Sequence, residues 1–203
     1  MSAVPWISLT TDYGLTDGFV AACHGVVARI APTARVIDVT HLVPPGDVRR
    51  GAAVLAQTVP YLPVGVHVAV VDPGVGTARR GVALAAPGGL LVDPAGLVRL
   101  PTPTVTRDAD GFTAEVLTVD HFGNVQLAAP AELLDSLPAT LRVGPPGTAP
   151  AHTAVRGRTF GDAPAGQLVT YVDSADLVAV AVNGGRAADL LAASPGDLLR
   201  VSG

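Results

Sequence analysis

The chain of 203 residues contains no lysine, and its thirteen arginines are scattered along its length. Against seventeen acidic residues they leave a net charge of -4. No basic stripe is present to neutralise a phosphate backbone, so nucleic acid is a poor candidate partner. Aromatic residues are equally scarce, with one Trp, three Tyr and four Phe, too few for a platform on which single strands could stack. A single cysteine, Cys23, excludes an internal disulfide framework and a Cys-rich zinc site. Charged residues make up only 15%, yet no apolar run is long enough, free of charge or proline, to cross a bilayer. The start, Met-Ser-Ala-Val-Pro-Trp, lacks the basic and apolar regions of an export signal, and the expected location is the cytoplasm. What remains is a small-molecule enzyme or binder.

The first hundred residues alternate between strand and helix patterns. Residues 6–12 read as a buried strand ending at an acid and a Tyr-Gly turn. Thr16 and Asp17 are candidate caps for a helix in which Phe19, Cys23, Val26, Val27 and Ile30 recur at helical spacing. A second strand over 34–41 is followed by a helix opening at Asp47, and a third strand covers 64–72. Such alternation implies right-handed crossovers and a parallel sheet, whose strands all end on one edge. Asp12, Thr40, His41 and Asp72 fall on that edge, where open α/β sheets bind ligands. Asp-Pro-Gly-Val-Gly-Thr after the third strand cannot be helical, and its glycines let backbone approach a ligand closely.

Residues 81–92 suggest a hairpin and 101–111 a linker rich in Pro, Thr and Asp. Short strands follow at 113–120, 124–128, 139–143, 166–173, 176–182 and 197–201, with short helices near 130–137 and 186–193. The expected fold class is α/β: an N-terminal parallel-sheet α/β domain (1–100), the linker, and a smaller C-terminal β-barrel-like domain (112–203).

Three blocks in the first part, Leu9-Thr10-Thr11-Asp12-Tyr13-Gly14, Ile37-Asp38-Val39-Thr40-His41 and Val70 to Thr77 with Arg79, resemble the S-adenosylmethionine hydroxide adenosyltransferases, relatives of the fluorinases and chlorinases. Asp120-His121-Phe122-Gly123-Asn124, Tyr171-Val172-Asp173-Ser174 and Ala181-Val182-Asn183-Gly184 resemble the same family's C-terminal signatures. The resemblance implies hydrolysis of S-adenosylmethionine to adenosine and methionine by attack of water at the adenosyl C5′, without a metal or other cofactor. It also implies a homotrimer, with each site formed between the first domain of one subunit and the second of its neighbour.

By motif position, Asp72 and Arg79 match two of the groups placed around the attacking water. A carboxylate can accept or orient a proton of that water, and an arginine can keep it ionised. Asp12 matches the acid that grips the ribose hydroxyls. Asp120 and Ser174 match positions at the methionine end, Phe122 and Asn124 lie where the adenosyl group packs, and Asn183-Gly184 falls near the adenine edge. An acid at position 72, where halide-using relatives carry an aromatic residue, favours water over an anion as nucleophile. Read on local sequence alone, Asp12 and Asp72 serve equally as turn residues, Asp38 as scaffolding and His41 as a structural histidine.

The chain also departs from the family pattern. Relatives carry between the domains a longer segment with a Phe-His-Gly-Arg-Asp-like motif, and its histidine has no counterpart between Gly96 and Phe112. The usual Pro-Asp-Asn-Gly is reduced to Asp93-Pro94-Ala95-Gly96. Three alternatives follow: the chemistry runs on Asp72 and Arg79 alone, His121 or His41 takes over, or the protein is an adenosine or S-adenosylmethionine binder without turnover.

Overall fold

Strands rich in Val and Ile cannot leave their backbone groups unpaired, and in the computed structural model, which describes residues 6–73, 100–147 and 151–203, they pair into two separate sheets. The chain divides into two compact units of nearly equal length, Met1–Pro101 and Thr102–Gly203.

In the first unit, β1 (Trp6–Thr11), α1 (Phe19–Ile30), β2 (Arg35–Thr40), α2 (Val48–Thr58) and β3 (Val66–Val70) follow in order. The strands form a parallel sheet, β2-β1-β3, as strand–helix alternation requires. β1 is central, and Ser8 through Thr11 are buried on both faces. α2 starts at the expected cap, where the Asp47 side chain accepts a hydrogen bond from Arg50 N at 2.9 Å. α1 differs from expectation: Gly18 occupies the cap position with no side-chain bond, so neither Thr16 nor Asp17 caps it. No residue of α1 is buried, and Phe19 and Ile30 are 59% and 78% exposed. Helical spacing identifies an apolar face but not whether anything covers it.

The second unit contains β4 (Val105–Arg107), β5 (Gly111–Val119), β6 (Val125–Pro130), α3 (Glu132–Asp135), β7 (Thr140–Gly144), β8 (His152–Arg156), β9 (Leu168–Val172), β10 (Leu177–Val182), α4 (Ala187–Leu191) and β11 (Leu198–Ser202). The strand order is β11-β7-β8-β9-β10-β6-β5-β4, and pairing of β11 with β5 closes seven of these strands into a barrel. Alternate residues point inward, as the period of two demands. Phe112, Ala114 and Val116 of β5 meet Val125 and Leu127 of β6 and Val178 and Val180 of β10 in one core. β4 lies within the stretch expected as a linker, where Val105-Thr106-Arg107 pairs along β5 although all three residues are exposed. Main-chain pairing holds it there, which a hydrophobic pattern cannot reveal.

Candidate active site

The register of the parallel sheet gathers the first unit's acids. Thr11 pairs with Val70, and Thr10 with Thr40, so the residues that follow each strand share one rim. Asp12 Oδ2 accepts a hydrogen bond from Gly46 N at 2.8 Å, which fixes the carboxylate against the loop leading into α2. Gly46 has φ +73, and a methyl group there would stand 3.4 Å from Pro73 Cβ. The same glycine thus anchors Asp12 and lies close to the residue that follows Asp72. Asp72 is half-buried just past β3. Arg79, most of the Asp-Pro-Gly-Val-Gly-Thr loop, the expected hairpin at 81–92 and Asp93 to Gly96 lie outside the described residues.

His41, 5% exposed, is held through one ring nitrogen and faces a carboxylate with the other. Nδ1 lies 2.9 Å from Thr11 Oγ1, and Nε2 lies 3.1 Å from Asp38 Oδ1, though at an angle too oblique for a well-formed hydrogen bond. Asp38 also receives His24 Nε2, at 2.9 and 3.0 Å from its two oxygens. Burial opposes ionisation of Asp38, but the hydrogen bond from His24 and the proximity of the His41 ring outweigh it and hold the carboxyl below its usual range. Asp38 is therefore scaffolding, as its position within a strand suggests. Nδ1 is taken by Thr11, and Nε2 is buried beside the Asp38 carboxylate rather than open to solvent at the rim.

In the second unit, Asp120 organises the turn between β5 and β6. Its Oδ1 accepts from Phe122 N at 2.9 Å and Asn124 N at 2.8 Å, and its Oδ2 from Asn124 Nδ2 at 2.8 Å. Gly123 adopts φ +82, and a Cβ there would lie 2.7 Å from Arg186 Cβ, so only glycine completes this turn. Phe122 is 71% exposed, and His121 packs edge-on against it at 5.5 Å. The His121 carbonyl accepts from Arg186 Nη1 at 2.8 Å. Asn183 donates from Nδ2 to Ala163 O at 2.7 Å, and Gly184, exposed at φ +78, follows β10. Ser174 sits exposed in the turn from β9 to β10, beside Asp173, whose Oδ1 accepts from Ala175 N at 2.8 Å.

The structure adds Tyr171, to which sequence reasoning gives no role. Its ring packs edge-on against Phe160 at 5.4 Å. Burial first, then the negative charges of Asp120 and Asp173, push its hydroxyl up to about 12. The charges of Asp120 and Asp173 both act on this phenol, and Gln126 Nε2 donates to Asp173 Oδ2 at 2.5 Å. The available signal was strand alternation: in Tyr171-Val172-Asp173, the first and third residues share a face.

Carboxylates gathered on the carboxyl rim of a parallel sheet, followed by a barrel with its own acids around an aromatic pair, define a two-unit protein suited to a small polar ligand. Among the described residues no group of three or more His, Cys, Asp or Glu could hold a metal, and no helix is long and apolar enough to cross a membrane. Residues 7–114 match the model of the SAM hydroxide adenosyltransferase N-terminal domain, and residues 114–200 that of the C-terminal domain. An (R)-S-adenosyl-L-methionine hydrolase of Salinispora arenicola is 58% identical over 266 residues, covering 100% of this chain and 99% of the relative. Its namesake in Salinispora tropica is 54% identical over 265 residues, covering 100% and 99%. A crystal structure of a conserved protein from Thermotoga maritima superposes with a TM-score of 0.82 at 25% identity, over 97% of this chain and 100% of that one. The chain belongs to the SAM hydroxide adenosyltransferase family. The S. arenicola alignment runs over 266 positions while this chain supplies 203 residues, so 63 positions have no residue here.

Proposed function

We infer that the protein hydrolyses S-adenosyl-L-methionine to adenosine and L-methionine. The observation that carries this is the 58% identity, across 100% of the chain, to an (R)-S-adenosyl-L-methionine hydrolase. Water oxygen attacks C5′, the C5′–S bond breaks with its electron pair going to sulfur, methionine leaves as a neutral thioether, and one proton is released. Because the sulfonium already carries positive charge, the leaving group needs no activation, and the work is positioning and partial deprotonation of water.

Asp72 orients that water and takes its proton, with Arg79 as the second group beside it. Asp12, held from one side by Gly46 N, presents its other oxygen to the ribose diol. Asp120 and Ser174 serve the methionine end, Phe122 and Asn124 the adenosyl group, and the Asn183-Gly184 backbone the adenine edge. The exposed Phe122, in a turn held by three hydrogen bonds to Asp120, supports an aromatic contact of this kind. No cofactor takes part, so a chelator leaves the rate unchanged. The assembly is a homotrimer with sites shared between subunits, located in the cytoplasm. The uncovered apolar side chains of α1 support association, and light scattering should return three times 20.4 kDa.

The test is incubation of purified protein with S-adenosyl-L-methionine and chromatography for adenosine and methionine. Product should form, and Asp72→Asn should lower kcat by on the order of a hundredfold or more while binding survives. Depletion of ligand without product would refute hydrolysis, and an unchanged kcat in the variant would remove Asp72 from the reaction.

A further inference from the structure

The rim of the first unit holds more polar structure than Asp12 and Asp72 require. Thr11 and His41 are 1% and 5% exposed, and their side chains meet at 2.9 Å. Two further bonds converge on this pair: Tyr13 N donates to Thr11 Oγ1 at 3.2 Å, and Gly14 N donates to His41 O at 2.7 Å. The turn Asp12-Tyr13-Gly14 is thus fastened to the end of β2 by a side-chain bridge and a main-chain bridge.

The protonation pattern follows from the acceptors. In the neutral imidazole, the Asp38 carboxylate 3.1 Å away favours a hydrogen over a lone pair on His41 Nε2, which leaves Nδ1 as an acceptor. Thr11 must then donate its hydroxyl hydrogen to Nδ1, and its oxygen receives Tyr13 N–H. Every member has one role, and reversing the imidazole would set a ring N–H against the Thr11 hydroxyl and a lone pair against the carboxylate.

We propose that His41, acting through Thr11, is a positioning residue that fixes the Asp12-Tyr13-Gly14 turn in the geometry that grips the ribose, with Asp38 setting the His41 ring. The proposal rests on the reading that Asp12 holds the ribose diol. His41 touches neither substrate nor water. It acts by keeping Asp12 preorganised, so that binding does not have to order the turn.

The experiment is calorimetric titration with adenosine, together with kcat and KM for S-adenosyl-L-methionine, on Asp12→Ala, Thr11→Val, His41→Ala, His41→Asn and the Thr11→Val/His41→Ala double variant. Thr11→Val and His41→Ala should each weaken adenosine by on the order of tenfold and raise KM more than they lower kcat. The double variant should be no worse than the poorer single, because both remove one bridge. His41→Asn, whose amide oxygen can stand where Nδ1 accepts, should recover most of the affinity, which a role in packing alone does not explain. If His41→Ala does not fold, Thr11→Val and His41→Asn still decide the matter. Wild-type affinity in Thr11→Val or His41→Ala, when Asp12→Ala binds weakly, overturns the proposal. Wild-type affinity in Asp12→Ala overturns the ribose reading beneath it.

Discussion

Gly51 is the only buried residue of α2, and replacing it with alanine sets two effects of opposite sign against each other. In a helix interior, Gly→Ala contributes about 1 kcal/mol of propensity. At Gly51, however, the new Cβ would stand 2.8 Å from Val71 Cγ2 and 3.8 Å from Val43 Cγ1. Carbon atoms separate to about 3.5–4.0 Å at contact, so Val71 must retreat by more than half an ångström. Its branched side chain is stiff at χ1, and the displacement therefore passes into the backbone next to Asp72. Overpacking of this kind costs about 1–3 kcal/mol. Overpacking therefore wins: Gly51→Ala should be destabilised by up to about 2 kcal/mol net in denaturant unfolding. Its kcat should fall by on the order of tenfold as the carboxylate shifts. Gly25 provides the control, because it lies in α1 with nothing within 4 Å of an added methyl group. Gly25→Ala should stabilise the protein by about 0.4–1 kcal/mol and leave kcat alone. A Gly51→Ala protein as stable and as active as Gly25→Ala would refute the reasoning.

Two further outcomes follow from the barrel. The Tyr171 hydroxyl should stay protonated until about pH 12, and ultraviolet titration should show it ionising earlier in Asp120→Asn; ionisation near 10 in the parent would contradict the burial argument. Since the raised value belongs to the folded state, this tyrosine's contribution to stability is complete below pH 10 and disappears as the pH climbs toward 12. Leu127, fully buried among Phe112, Val116 and Val180, should cost about 2–5 kcal/mol when cut to alanine, and a loss under 1 kcal/mol in chemical denaturation would mean the barrel interior refills the space.

Much of this architecture is written in local pattern. The alternation of β1, α1, β2, α2 and β3 is readable because buried strands and amphipathic helices carry different periods, and Asp47 announces its helix through cap chemistry. The inward residues of β5, β6 and β10 are equally plain. β8 escaped because His152-Thr153-Ala154-Val155 follows a Pro- and Ala-rich run with little hydrophobic contrast, and its partners on β7 and β9 fix it instead. The side-chain constellations are harder to read. Asp38, His24 and His41 belong to one strand, a helix and the loop after the strand, and only the fold of the first unit brings them together. Asp120 and Tyr171 lie on different segments of the barrel, so no spacing rule links them. Family resemblance names Asp12, Asp72 and Asp120, but not what holds them in place.

Barrel closure has a consequence for how the protein is made. Leu198 pairs with Glu115, 83 positions earlier, so the ring stays open until the final strand has left the ribosome. During synthesis the nascent sheet therefore waits with the edges of β5 and β7 bare, each a template for a stray strand from another molecule. Contacts so far apart in sequence form slowly. The speed with which β11 finds its slot between β5 and β7 thus bears on how much of the protein folds rather than aggregates.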